Sequence, residues 1–488
     1  MIINRNQFPN VFLIVFDSAR AQNFSIYGYE RETNPFLKLI IDDFMIYSNA
    51  ISATISTVPS HASIFTGTHV STHGLFLDGD RLSYKLITLA EYLKEIGYNT
   101  FGICYQDDVS PITGLHRGFQ KFDMNDDPGF FKNFLRNLMK TKKPLQYSSA
   151  KKYLGSSETL DGNSNNSILK TFKSMDIYKK MYWYFSSRSD QGAMSSQRKI
   201  YNFLQSQKKN TPFFIYLHYD ETHLPYRPIH PYRSIFLNKK SLKREPWQVN
   251  QDRHKFFLNK NIMDNEDFEI LRSLYDASIM YLDKKTYDLY EMLTNMKLLE
   301  NTIFIIIGDH GDNLGEHGLL SHKYCVYDTL IKVPMFIKYP KEMNLNGHSK
   351  KVVHLTDILP TLLDILYKRK HPIIEQLEGN SLISENIKNR YEQIVISELI
   401  KPFGNDIKYY KTLLKEYNKR MFSVRSDKFK FIWNSSGDHE FYDLINDSHE
   451  ALNIINDKTK ISKEFLAIAQ KHEKKFNTCF NDYKYFLE

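Results

Sequence analysis

Thr302-Ile-Phe-Ile-Ile-Ile-Gly308, followed at once by Asp309-His310-Gly311, is the stretch that decides the fold. Ile303–Ile307 is an unbroken β-branched and aromatic run, apolar on both alternating sets of positions. Such a run reads as a strand buried on both faces, as in a parallel sheet covered by helices. It ends in a carboxylate and an imidazole, and open α/β sheets place their chemistry at the carboxyl edge of the strands. Asn10-Val-Phe-Leu-Ile-Val-Phe16 repeats the pattern and ends at Asp17, and Pro212-Phe-Phe-Ile-Tyr-Leu-His218 is a third such strand.

Working outward, Leu86–Ile96 has helical spacing and Asn99–Cys104 reads as the next strand. Leu271–Leu293 is a long helical pattern, Val333–Ile337 a short strand, and Thr356–Leu366 a helix interrupted near its start by Pro360. This alternation predicts an α/β fold: a large mixed, mostly parallel sheet sandwiched by helices. The stretch from about 126 to 184 is rich in Lys, Ser and Asn and reads as an insertion, in part a mobile loop over the sheet edge. Beyond about Tyr367, the segments Met421–Val424, Phe429–Trp433 and Glu440–Asp443 read as short antiparallel strands, and Ile461–Phe476 as a terminal helix. The expected division is 1–375 for the large domain and 376–488 for a smaller C-terminal α+β subdomain.

With 488 residues, 42% hydrophobic and 25% charged, the chain has the composition of a folded protein with a large core. Three cysteines, Cys104, Cys325 and Cys479, are too few and too scattered for a disulfide framework or a cysteine metal cage. The formal charge of +9 fits an acidic substrate, an anionic membrane surface or nucleic acid, although a generally lysine-rich composition explains it as well. No basic, aromatic-interleaved nucleic-acid motif is present, so a nucleic-acid partner is not expected. No stretch reads as a signal peptide, and none reaches the roughly 18 apolar residues of a membrane span. The expectation is a cytoplasmic or peripheral-membrane location.

Thr57-Val-Pro-Ser-His61 precedes a helical pattern, which puts Thr57 near a helix N-terminus, where backbone N–H groups favour an anion. Locally, the simpler reading is that Thr57 or Ser60 caps that helix. Asp309, His310 and Asp17 offer oxygen and nitrogen donors suited to Zn²⁺, Mn²⁺ or a related divalent ion. His69, His73 and His116 read as structural, and His354 as packing near the Thr356 helix.

The chain resembles the sulfatase group of the alkaline phosphatase superfamily. The resemblance rests on Phe16-Asp-Ser-Ala-Arg20, Tyr27-Gly-Tyr29, Thr33-Asn-Pro35, Thr57-Val-Pro-Ser-His-Ala-Ser-Ile-Phe-Thr-Gly67 and Gly114-Leu-His-Arg-Gly-Phe119. It continues through His218 to His223-Leu-Pro-Tyr226, Gly308-Asp-His-Gly-Asp-Asn-Leu-Gly-Glu-His-Gly318, Lys332-Val-Pro334, Thr356-Asp-Ile-Leu-Pro-Thr-Leu-Leu363 and Phe441-Tyr-Asp-Leu444. These pieces occur in the family's order. The resemblance implies one divalent metal ion (Zn, Mn, Ca or Mg) on Asp17, Thr57, Asp309 and His310, with Thr57 also the nucleophile. It implies that His223 contacts the substrate or leaving group, that His322 and Lys323 face the anion, and that His61 stands where the family has an Arg.

Four departures accompany it. Thr57 replaces the Cys or Ser that sulfatases oxidise to formylglycine, and a threonine would give a ketone instead of that aldehyde. His61 replaces the Arg, Ser18 replaces a second carboxylate, and Tyr105-Gln-Asp-Asp108 stands where a Gly-Lys-x-His motif is expected. On these grounds the expected function is cleavage or transfer of a phosphate-type ester, a phosphodiester or phospho-headgroup, through a covalent intermediate on Thr57. Zn or Mn would then be the favoured metal. The alternatives are a sulfuric ester hydrolase acting on a sulfated sugar or aryl ester, and a non-catalytic metal-binding protein that keeps the fold. The expected partner is an anionic ester, carbohydrate or lipid headgroup.

Overall fold

The computed structural model describes residues 8–124 and 188–484 apart from short stretches at 77–78, 106–107, 209, 239–241, 367–370, 385–392, 401–418 and 458, with a few positions between 176 and 184. The bulk of the predicted insertion, 125–175, and the side chain of Cys479 lie outside the described residues.

A nine-stranded sheet forms the centre. Its strands are β1 (Asn10–Phe16), β2 (Met45–Ile51), β3 (Asn99–Cys104), β4 (Lys121–Met124), β5 (Phe213–Tyr219), β6 (Thr302–Gly308), β9 (Lys332–Val333), β10 (Met335–Lys338) and β11 (Gly347–His354). The order is β11-β2-β10-β6-β1-β5-β3-β4, with β9 also paired to β2, while β7 (Asn313–Leu314) and β8 (Leu320–Ser321) form a separate antiparallel pair. Of the pairs along it, only those made by β10 and β9 are antiparallel. The predicted mixed, mostly parallel sheet is thus observed. Val333–Ile337, read as one strand, is two pieces separated by Pro334, which has no N–H to give to a ladder.

Alternation along the central strands splits the apolar residues between two cores. Val11, Leu13 and Val15 of β1 and Ile303, Ile305 and Ile307 of β6 face one core, with residues of α1 (Thr57–Thr66), α3 (Leu89–Glu95) and α8 (Ile358–Ile365). Phe12, Ile14, Phe16, Phe304 and Ile306 face the other, with α4 (Ala193–Gln205) and α6 (Asn265–Asn295). Each such side chain, fully buried, is worth about 1.5–3 kcal/mol, and two covered faces explain why these strands are apolar throughout. The loop after β1 is fastened to α6, where Asp283 accepts from the backbone N–H groups of Phe36 and Leu37 and Asp276 accepts from Asn23, Tyr29 and Arg31.

A second, four-stranded antiparallel sheet joins β12 (Val395–Leu399), β13 (Met421–Arg425), β14 (Phe429–Asn434) and β15 (Glu440–Asp443), covered by α9 (Lys460–Lys484). Phe422, Phe431, Trp433, Phe465 and Phe476 form its core. It is fixed to the large sheet by the short helix α7 (Asp328–Ile331). There buried Asp328 accepts from Arg425 Nη2 at 2.8 Å and Lys430 Nζ at 3.0 Å.

Candidate active site

Register brings the site together. Phe16 of β1 pairs with Tyr219 of β5 and with Gly308 of β6, so the residues that follow, Asp17, Asp220 and Asp309, leave the sheet at one level. β2 runs in the same direction, and the chain leaving it turns into α1. That carries Thr57 to the same edge across a separation of 253 residues from His310. Glycine permits the tight exit from β6: a Cβ on Gly308 would meet Ala19 O at 2.3 Å, and one on Gly311 would meet Thr329 O at 2.1 Å.

Thr57 is the first residue of α1, and Ser56 precedes it as the cap, without a side-chain bond. Neither hydroxyl caps the helix. Ser60 Oγ donates to Asp309 O at 2.8 Å and pins α1 to the tip of β6. Thr57 Oγ1 lies 3.2 Å from His310 Nε2. His310 Nδ1 is 3.0 Å from Gly311 O, which can only accept, so Nδ1 carries the proton in the neutral ring and Nε2 presents its lone pair to Thr57.

Each carboxylate is half satisfied. Asp17 Oδ1 accepts from Ser18 Oγ at 2.8 Å, and Asp309 Oδ1 accepts from the N–H groups of Ser18 at 3.0 Å and His310 at 2.8 Å. Asp17 Oδ2 and Asp309 Oδ2 are buried without a hydrogen-bond partner. One ligand atom from each of Asp17, Asp309 and His310 falls within a mutual 4.8 Å. Two orphaned carboxylate oxygens beside an imidazole lone pair are what a divalent cation takes up, and leaving them unpaired is costly. The expected metal ligands therefore fit the ion, with Thr57 alongside.

Burial raises Asp309, to about 6, against the pull of His310. Asp17 is also opposed by burial, but His223, His218 and His310 around it hold it well below the usual carboxylate range.

The other expected residues gather on two sides. His310 and His322 lie with ring centroids 4.5 Å apart, and His223 is 5.2 Å from His322. Burial, and then the neighbouring His310 and His223, keeps His322 far below its ordinary value, and burial brings His223 down to about 4. Lys323 follows His322 in the chain and adds positive charge near it. On the other side, His61 is fully buried, with Nδ1 2.8 Å from Thr57 O and 3.8 Å from Asp309 Oδ2.

Three residues near the site went unassigned in the sequence. Asp312, inside the quoted Gly308–Gly318 stretch, accepts from His322 Nδ1 at 3.0 Å and Tyr226 Oη at 2.5 Å, and burial pushes it up to about 7. Its place two residues past His310 was the available signal. Arg253 heads the short helix α5 (Arg253–Phe257) and acts electrostatically on His223, His322 and Asp312. No motif marks it. His218, at the end of β5, stands with Nε2 3.4 Å from Asp17 Oδ2. His354 caps the turn before α8, accepting from Thr356 N at 3.4 Å.

The Sulfatase family model matches residues 9–367, and the model for the C-terminal part of N-sulphoglucosamine sulphohydrolase matches 315–477. The chain is 26% identical to an arylsulfatase of Clostridium perfringens, over 92% of this chain and 90% of that protein. Among solved structures it superposes on one determined with its substrate D-glucosamine-2-N,6-O-disulfate, at a TM-score of 0.69 and 17% identity, covering 96% of this chain and 98% of the other. It also superposes on a phosphonate monoester hydrolase of Agrobacterium radiobacter, at a TM-score of 0.66 and 17% identity, covering 97% and 96%. With a family match over more than half its length, the chain belongs to the sulfatase family of the alkaline phosphatase superfamily, a family of ester-hydrolysing enzymes.

Proposed function

We propose that this enzyme hydrolyses a sulfuric ester, on a sugar or aryl alcohol, with the unmodified Thr57 hydroxyl as nucleophile. The placement of Thr57 Oγ1 at 3.2 Å from His310 Nε2, beside the two half-satisfied carboxylates, carries the reading. The arylsulfatase relative turns the weight from the phosphate-type ester expected from sequence toward sulfate. When bound by Asp17, Asp309, His310 and Thr57, a divalent cation supplies positive charge against the ester oxygens and lowers the pKa of the threonine hydroxyl.

The chain's own groups then divide the work. Thr57 Oγ1 attacks the central atom, and the bond to the leaving alcohol breaks. His322 and His223, held neutral by burial, are placed to take up the proton that the Thr57 hydroxyl gives up and to pass it to the departing oxygen. Asp312 accepts from His322 Nδ1 and so leaves the lone pair of Nε2 to receive and return that proton. Water then attacks the same central atom and returns Thr57 to its hydroxyl form. The N-terminal turn of α1 and Arg253 favour the anionic ester.

The second reading, a phosphate-type ester, is supported by Thr57 itself. A threonine adduct must be broken at sulfur or phosphorus, since no aldehyde hydrate is available to expel it. Side-by-side turnover of an aryl sulfate, an aryl phosphomonoester and an aryl phosphodiester tests the choice. Preference for the sulfate by kcat/KM is expected; preference for the diester transfers the conclusion to the second reading. In either case Thr57→Ala is expected to lose at least about 10³-fold in kcat while metal stays bound. Activity within tenfold of the parent would remove Thr57 as nucleophile.

A further inference from the structure

A second set of ligand-type groups sits against the first. One atom from each of His61, His218 and Asp309 lies within a mutual 4.8 Å, and all three residues are buried. The ligand set named from the resemblance contains neither histidine.

Each imidazole has one nitrogen that makes no hydrogen bond. His61 Nδ1 is 2.8 Å from Thr57 O, a carbonyl that can only accept, so the proton is on Nδ1 and the lone pair on Nε2. His218 Nδ1 is 3.2 Å from Cys104 Sγ, and its Nε2 faces Asp17 Oδ2 at 3.4 Å, so a cation at this position would stand between His218 and the first carboxylate. The Nε2 atoms of both rings and Asp309 Oδ2 have no hydrogen-bond partner, although all are shielded from solvent. Each such orphan costs roughly 1–3 kcal/mol. The rings are held in place: His61 meets His218 edge-on at 4.9 Å between centroids, and Phe65 and Tyr216 pack edge-on against it. A metal-binding histidine typically has one nitrogen fixed by a neighbour and the other left to the ion; His61 meets that description, and His218 has its Nδ1 at Cys104 and its Nε2 beside the orphaned Asp17 Oδ2.

We propose that His61, His218 and Asp309 hold a second divalent cation, with Asp309 shared between it and the Asp17–Asp309–His310 position. Two imidazoles and one carboxylate make a borderline donor set, suited to Zn²⁺ or a neighbouring first-row ion in preference to Ca²⁺. In the sulfatase resemblance, position 61 carries a guanidinium. Here a neutral imidazole stands in its place, and a bound cation would restore the missing positive charge beside the anionic ester. Paired cations acting on one ester are an established means of stabilising both attacking and leaving oxygens.

The test is a metal count on the whole chain, stripped with a chelator, re-equilibrated with Zn²⁺ alone and desalted, read by mass spectrometry and by anomalous density at the zinc edge. Wild type is expected to hold two equivalents, with His61→Ala, His218→Ala and His310→Ala each holding one. Retention of one ion in His310→Ala separates this position from the first; failure of the first would instead leave His310→Ala at the wild-type count. A single wild-type equivalent seated beside His310, with only water between His61 and His218, overturns the proposal. Should the histidine variants fail to fold, the anomalous map of the wild type decides alone.

Discussion

His322 draws its usefulness from a neighbour. Its Nδ1 is held by Asp312, which is itself anchored by Tyr226. Asp312→Asn is expected to lower kcat by about 10–100-fold with KM little changed, the effect of disturbing a group that orients a site ligand. Steady-state kinetics checks it; an unchanged kcat would leave Asp312 a packing residue. Arg253 predicts the opposite split. Because it is placed to attract the anion, Arg253→Ala is expected to raise KM about tenfold, ~1.4 kcal/mol, with kcat close to the parent. Thr57, Asp17, Asp309 and His310 were legible because each sits at a strand end or helix start that the apolar pattern marks. Arg253 was not, since its approach to the site depends on the path of a long connection with no periodic signal. His218 was visible as a strand terminus, but its partner Cys104 lies 114 residues away in the chain, and only the pairing of β3 with β5 joins them.

Among the elements, the strands buried on both faces were read within a residue of their observed ends, while β2 and the two edge strands β4 and β11 were missed. β11, Gly347–His354, carries two lysines and two histidines and exposes its first half, and β2 interleaves Ser and Asn with apolar residues. A strand with an open edge, like β11, or with half-exposed positions, like β2, lacks the continuous apolar run that made β6 and β1 plain. The helix over Leu271–Leu293 proved longer, Asn265–Asn295, because Asp264 and Asp267 form a capping box ahead of the apolar pattern. β12 offers a pH test. Its fully buried Glu398 accepts from Ser71 N at 2.9 Å and faces His472 Nε2 at 2.7 Å, joining α2 (Val70–His73) and α9 to the second sheet. Burial works against its ionisation, but the hydrogen bond and charge of His472 prevail and bring the carboxyl down to about 2. A depressed carboxylate stabilises the fold above its unfolded pKa, and the contribution vanishes as pH falls through the folded value. The stability of the wild type should therefore decline between about pH 4.5 and about pH 2 by an amount on the order of 3 kcal/mol from this group. Glu398→Gln should flatten that part of the profile in chemical denaturation.

For the molecule as a whole, the α/β order, the parallel block and the small C-terminal sheet follow from where apolar runs stop and change period. The link between the two sheets does not. Asp328, Arg425 and Lys430 are widely spaced in sequence and become a buried cluster only when the sheets dock, with Lys430 also 2.7 Å from Glu450. Removing Asp328 leaves buried Arg425 without its counter-charge and Lys430 with Glu450 alone, so Asp328→Ala is expected to cost about 3–5 kcal/mol and to lower the melting temperature by several degrees or more. Unchanged melting would mean that the sheets are held mainly by apolar contact. Among the described residues no helix is long and apolar enough to cross a membrane.

The pairing of β1 with β6 has a bearing on synthesis. The first carboxylate leaves the ribosome early, while its companion on β6 arrives nearly three hundred positions later, and neither side alone offers a cation more than a fragment of its cage. The growing polypeptide is thus born inert. Under the proposed mechanism, the Thr57 hydroxyl would acquire reactivity only when a late, long-range docking event inserts the sheet's middle strand beside the first, so that completion of the fold and switching on of the chemistry would become one event.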